Sequence, residues 1–235
     1  MNRNLLLILL LALVVRVFTF SGYLGSPDEI TNVEIVQQIL EGTWPRFEDS
    51  ILKVVFPTRI AFFGVTSALV RVFGVSEISI VLYPLLSSLL TVVLVFYLAR
   101  RWIGEPGAAW AAFLFAFFPL DIIYSTKISI DPPLNMLCTL SVLLFFFAGD
   151  RLERGRRAWL HFLAGCIVGF AYLHKVTAGY FCILFFLVGA GVSAIAGVLT
   201  TPGAELSIES AFPFLGEVGS TTFIGWLFGA VFAMT

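Results

Sequence analysis

Ionisable side chains are scarce in this sequence, and they gather where apolar runs begin and end. Asp28 and Glu29 follow Ser26-Pro27, and Lys53 and Arg59 flank Pro57. Asp121 and Lys127 stand around the end of one apolar run, Asp131 opens the next before Pro132-Pro133, and His174-Lys175 closes another. A carboxylate in such a place can take a proton or help to hold a metal ion, and an amine or guanidinium can hold an anion. Ionisable groups at membrane depth are costly, which makes function the default reading for them. Each also has a structural reading. Asp28 and Glu29 would complement a helix dipole, with Glu29 closing a capping box. Asp131 would start a helix and Asp121 would cap one. Lys175 would snorkel to the interface, Arg16 would reach the outer headgroups, and His174 would be a satisfied interfacial histidine.

The elements that must position these groups follow from composition. Of 235 residues, 59% are hydrophobic and only 12% charged, and mean hydropathy is +0.99. Soluble domains are about 45–50% apolar and about 25% charged, so a soluble globule and a disordered chain are both excluded. With 14 Lys+Arg against 15 Asp+Glu the net charge is −1, which excludes a basic nucleic-acid binder. Cys138, Cys166 and Cys182 all lie inside apolar runs, and no Cys/His pair has metal-ligand spacing, so the cysteines read as packing residues.

Spanning a bilayer takes about 20 apolar residues. Candidate spans are 5–21, 78–99, 107–124, 133–149, 158–174, 178–199 and 212–234, which predicts an all-α polytopic bundle of about seven spans. The first is read as an uncleaved span, because Val17 to Phe20 prolong its apolar run past Arg16. The stretch 56–73 is apolar enough to span, but Arg59 and Arg71 would then enter lipid, at about 2.5–3.5 kcal/mol each at the centre. Read as interfacial, it leaves Arg3, Arg100-Arg101 and the basic cluster Arg151, Arg154, Arg156, Arg157 on one side, as the positive-inside rule requires. The N-terminus is then cytoplasmic and the loop 22–77 lies outside.

Within that loop, Ser26-Pro27-Asp28-Glu29 carries the start signals of a helix, and Gly42 stops it. Ile30, Val33, Val36 and Leu40 would form its apolar face against the outer leaflet. Gly165 and Gly169, and Gly225 and Gly229, have the spacing that lets helix backbones approach. The organisation expected is a membrane module over 1–199, followed at 200–235 by a cytoplasmic loop and the seventh span.

Several of these motifs stand in an order that resembles the GT-C class of polyprenol-phosphate-sugar glycosyltransferases, in the group of the lipid A aminoarabinose transferase and protein O-mannosyltransferases. The residues are Ser26-Pro27-Asp28-Glu29, Glu34-Ile35, Gly42-Thr43-Trp44-Pro45 and Val72 to Glu77. They continue through Tyr97 to Arg101, Phe118-Pro119, Ser129-Ile130-Asp131-Pro132 and Gly169 to Thr177, covering residues 5–199. The resemblance implies inverting sugar transfer from a polyprenyl phosphate carrier to a lipid, glycan or protein acceptor, outside the plasma (inner) membrane. It puts Asp28 in the catalytic position, as general base for the acceptor, with Glu29 secondary. It makes Asp131 the second outer acid, which would orient the acceptor or, with Asp28, hold a divalent metal. Lys175 would stabilise the phosphate leaving group, with His174, Lys53 and Arg59 beside it. The expected partners are the lipid-linked sugar, membrane lipids and an acceptor of unstated identity, with no nucleic acid.

The sequence departs from that pattern in three places. Ile80 to Pro84 stands where relatives carry an arginine, and Phe56 precedes Pro57 where relatives carry a lysine, a position that Lys53 or Arg59 would fill. The chain is also shorter than its relatives and stops at Thr235 inside an apolar run, so it reads as an N-terminal portion. The alternatives are a non-catalytic membrane subunit or inactive fragment of such an enzyme, and a transporter or flippase with Asp131, Lys175 and Arg16 along a polar pathway.

Overall fold

The computed structural model describes residues 2–20, 26–43, 59–148, 154–175 and 178, and within them it is all helical, with no strand. The helices are α1 (Arg3–Phe18), α2 (Pro27–Leu40), α3 (Ile60–Phe73), α4 (Glu77–Ala116), α5 (Pro119–Ser125), α6 (Asp131–Ala148) and α7 (Arg154–Tyr172). The expected spans 178–199 and 212–234, the loop 200–220, Lys53 and the Gly225/Gly229 pair lie outside the described residues, Ala178 excepted.

Local chemistry explains the helix ends. Ser26 accepts from the Glu29 N–H, Pro27 takes the first helical position, and Gly42 follows α2 at φ 73°. Ser76 and Ser79 form a reciprocal capping box at the start of α4. Gly74 (φ 83°, ψ 165°) and Gly104 (φ 70°, ψ −176°) adopt a backbone region that is essentially glycine-only.

At Gly104 the chain reverses direction, so α4 is two antiparallel limbs. Unbroken, the helix would hold Ser88 and Ala116 about 42 Å apart, yet both hydrogen-bond the one side chain of Arg16. Leu5, Ile8 and Ala12 of α1 share a buried cluster with Val92 and Phe96 of the first limb and Ala108, Ala112 and Ala116 of the second. The three alanines recur every four residues and are fully buried, so they form a small-residue stripe that lets the backbones close up. A Cβ at Gly104 meets no atom within 4 Å, so the cost of Gly104→Ala is conformational, about 1–3 kcal/mol. A matching loss of stability in detergent-solubilised protein is the expected result.

Glu77–Ala116 is the described helical run long and apolar enough to cross a membrane, while Ile60–Phe73, Asp131–Phe147 and Ala158–Tyr172 are apolar but shorter. Three expectations are corrected. The continuous span 107–124 is broken at Phe117-Phe118, because Pro119 forces Phe118 into an extended conformation (ψ 116°) and starts α5 at its own first position. The apolar face of α2 expected against the outer leaflet packs largely on protein: Val36 is buried, Val33 and Leu40 pack against the same core, Ile30 alone of the four is exposed, and Glu29, Asn32 and Ile35 are buried beside them. Arg16 is 1% exposed and reaches no headgroup. It donates to Asp121 at 2.7 Å, to Ser88 at 2.9 Å and to the carbonyls of Ala12 and Ala116 at 3.0 and 3.1 Å.

α6 and α7 pack closely. Ser141 donates to the Ala164 carbonyl at 2.9 Å, next to Gly165, and Gly165 and Gly169 are both buried. A second core gathers Ile35 and Val36 of α2, Phe62, Phe63 and Val70 of α3, Tyr83 of α4, and Ile128 and Ile130. That core carries the site.

Candidate functional site

The segment 126–130 joins α5 to α6, and its sequence alternates. Ile128 and Ile130 are buried in the core, whereas Lys127, Ser129 and Asp131 stay partly exposed. The alternation turns the three polar side chains to the other side of one short strip. The Ser129 N–H donates to the Lys127 carbonyl at 2.8 Å, which tightens the strip, and Ser129 Oγ accepts from the Asp131 N–H at 3.4 Å as α6 begins. Four residues of extended chain reach at most about 14 Å, so the α-carbons of Lys127 and Asp131 are closer than that.

Both ends of the strip carry ion pairs to other elements. Lys127 Nζ lies 3.1 Å from Glu29 Oε1 in the first turn of α2, and Lys175 Nζ lies 2.8 Å from Asp131 Oδ1. Asn32, one turn along α2 from Glu29, donates to the Ile128 carbonyl at 3.3 Å. Two consecutive residues of the strip thus hold two consecutive turns of α2. That is why polar Glu29 and Asn32 can be buried beside Ile35 and Val36.

Asp28 is exposed at the same helix start and has no hydrogen bond or ion pair among the described residues. Its carboxylate is therefore uncommitted beside two carboxylates that are engaged. Lys175 and Asp131 are each 38% exposed in their side chains. An ion pair that wet is worth about 0–1 kcal/mol, so an arriving anion can open it.

His174 sits beneath Lys175, fully buried. Its Nδ1 is 3.1 Å from the Phe170 carbonyl and its Nε2 is 2.7 Å from Tyr83 Oη. A carbonyl only accepts, so Nδ1 carries the hydrogen and Nε2 accepts from the tyrosine hydroxyl. With both ring nitrogens engaged, His174 has no donor left for an outside phosphate. It pins the turn that presents Lys175. Arg59 is half-buried at the N-cap of α3 and has no partner among the described residues. The Ala61 N–H donates to the Leu173 carbonyl at 3.4 Å, so Arg59 and Lys175 each stand two residues from one shared hydrogen bond.

The strip thus brings together Glu29, Asp131 and Lys175, with Asp28 adjoining Glu29 and Arg59 near Lys175; Lys53 lies outside the described residues. Among the described residues no group of three or more His, Cys, Asp or Glu could hold a metal ion. One oxygen of Glu29 and one of Asp131 face lysines, and Asp28, expected to hold a metal with Asp131, is exposed beside Glu29. Lys127 stands among the ionisable residues picked out in the sequence but with no role in the site, and Tyr83 is not among them. The signal for Lys127 was available in Lys-Ile-Ser-Ile-Asp at 127–131, whose period of two sets Lys127 and Asp131 on one side. Tyr83 had none, because its partner is 91 positions away.

Residues 57–212 match the family model described as dolichyl-phosphate-mannose-protein mannosyltransferase. The chain belongs to that family. Membership of the dolichyl-phosphate-mannose-protein mannosyltransferase family supports the GT-C-like character read from the motifs, and the family is membrane-embedded. The matched region contains Arg59, Lys127, Asp131, His174 and Lys175, while Asp28 and Glu29 precede it. A stretch of 53 residues is also 51% identical to "Ammonium transporter Amt1" of Haloferax mediterranei, over 23% of this chain. The chain spans 10% of the length of that curated relative. No solved structure matches the chain.

Proposed function

We propose that this chain carries the reacting end of an inverting glycosyltransferase that moves a sugar from a polyprenyl phosphate carrier to a lipid, glycan or protein acceptor. The single observation that carries this reading is the strip at 127–131. It gathers two carboxylate–ammonium pairs beside an uncommitted carboxylate, Asp28, in a chain of mannosyltransferase-family membership. In the reaction, Asp28 removes the proton of the acceptor hydroxyl as its oxygen attacks the anomeric carbon. The bond from that carbon to the phosphate oxygen breaks on the opposite face, which inverts the centre. The pair of electrons leaves with the polyprenyl phosphate, and Lys175 and Arg59 stabilise the charge that grows there. Asp131 releases Lys175 to the phosphate and becomes free to orient the acceptor.

The same reading places the protein in the plasma (inner) membrane as a polytopic bundle of about seven spans, N-terminus cytoplasmic and site extracytoplasmic. The lipid-ready surface of α1 supports it, since Leu7, Leu10, Val14, Val17 and Phe18 are all exposed. A transport pathway through Arg16 has less support, because that guanidinium is spent on four hydrogen bonds inside the bundle.

The test is transfer from a polyprenyl-phosphate-linked sugar by the chain in proteoliposomes, read as release of free polyprenyl phosphate. Removing the ammonium in Lys175→Met deletes a charge-assisted contact of about 1.5–3 kcal/mol, so the donor KM rises about 10–100-fold. A donor KM equal to that of the unaltered protein would take Lys175 out of phosphate binding, and absence of transfer would overturn the whole reading.

A further inference from the structure

We propose that Lys127 is a positioning residue that docks the N-terminus of α2 and thereby sets the direction of Asp28. This deepens the reading above and rests on Asp28 being the base. The Asp28 side chain has no hydrogen bond or ion pair of its own to fix it among the described residues. Besides the Ser26 cap, the helix turn that carries it is held by the neighbouring pair, Lys127 to Glu29 at 3.1 Å, and by Asn32 on the Ile128 carbonyl at 3.3 Å. The anchor is itself rigid. Ile128 and Ile130 lock the strip into the core of α2, α3 and α4, and the 2.8 Å bond from Ser129 to Lys127 shortens it. The Glu29 side chain is 12% exposed and that of Lys127 29%. The pair is drier than the one between Lys175 and Asp131, and so the better suited to hold while the other opens. The two pairs stand four positions apart, so one strip relates the base to the amine that meets the phosphate. A displacement of about 1 Å in a reacting group costs up to about 100-fold in rate.

The experiment compares Lys127→Ala and Lys127→Arg with the unaltered chain in proteoliposomes by steady-state transfer, and by amide hydrogen exchange over residues 27–40. For Lys127→Ala the expected result is a kcat lowered about 10–100-fold, an unchanged donor KM and faster exchange in α2. Lys127→Arg keeps a donor to Glu29 and restores most of the turnover; it also decides the matter if the alanine variant does not fold, since an arginine variant as slow as a deletion would refute docking through this charge. A raised donor KM with kcat intact would make Lys127 a phosphate ligand instead and overturn the proposal. Unaltered exchange in α2 would overturn it as well. Faster exchange with unaltered turnover would leave the docking contact standing but refute its role in setting Asp28. Should the unaltered chain transfer no sugar, the reading of the function fails by itself, and exchange in α2 still decides whether Lys127 docks the helix.

Discussion

Asp28→Asn lowers kcat for sugar transfer by about 100- to 10,000-fold while the donor KM changes little. That range is what a positioned general base contributes. Asparagine keeps the size of the side chain and an oxygen that can orient an acceptor hydroxyl, but it takes no proton. Because Asp28 is exposed and makes no hydrogen bond or ion pair among the described residues, the exchange removes no packing and no described partner. The helix start is held by Ser26 on the Glu29 N–H, by Pro27 and by Glu29 on Lys127, none of which is altered. The variant should therefore lose no more than the about 0.3–1 kcal/mol that a carboxylate in the first turn gains from the helix dipole. Steady-state turnover with a polyprenyl-phosphate-linked sugar checks the rate and a melting curve checks the fold. Unchanged turnover would remove Asp28 from the mechanism and with it the argument that the uncommitted carboxylate is the working one.

Arg16→Met destabilises the protein by about 3–5 kcal/mol, the range for breaking a buried ion pair from one side. The side chains of Arg16 and Asp121 are 0% and 3% exposed, and among the described residues Asp121 Oδ1 has no hydrogen-bond partner even with the arginine in place. Removing the guanidinium leaves a carboxylate inside the bundle with, among the described residues, only Ser88 to meet it. It also frees the Ala116 carbonyl at the end of α4, which no longer has an arginine donor. Replacing both partners is a different matter, since a buried pair exchanged for apolar side chains is often neutral or better. Arg16→Met with Asp121→Leu should regain most of the loss. Chemical unfolding in detergent of the single and double variants reads the difference, and a single variant as stable as the parent would show that the pair holds nothing together.

These two residues mark opposite ends of what could be read without a structure. Asp28 stands in a local motif, Ser-Pro-Asp-Glu, whose consequences are settled within one helical turn, and the structure shows the cap and the helix start where the residues demand them. The same is true of Ser76, which caps α4, and of Gly42, which follows α2 at positive φ. Asp131 likewise begins α6 ahead of two prolines. The apolar faces were less legible. An amphipathic pattern places α2's buried face on its aliphatic residues, but Lys127 and the Ile128 carbonyl offer partners to Glu29 and Asn32, and a satisfied polar group can be buried where an unsatisfied one cannot.

By itself the sequence determined the helical class, the start signals of α2 and α6, and which charged side chains are rare enough to matter, whereas the breaks at Gly104 and at Pro119, inside the expected span 107–124, came only with the structure. Only the tertiary structure decided how those charges pair. Arg16 meets Asp121 across 105 positions, Lys127 meets Glu29 across 98, and Lys175 meets Asp131 across 44. Caps and turns are decided by hydrogen bonds among near neighbours, so their signals are written in a few consecutive residues. An ion pair between distant segments depends on how the helices between them cross and reverse, and no short stretch of sequence carries that geometry.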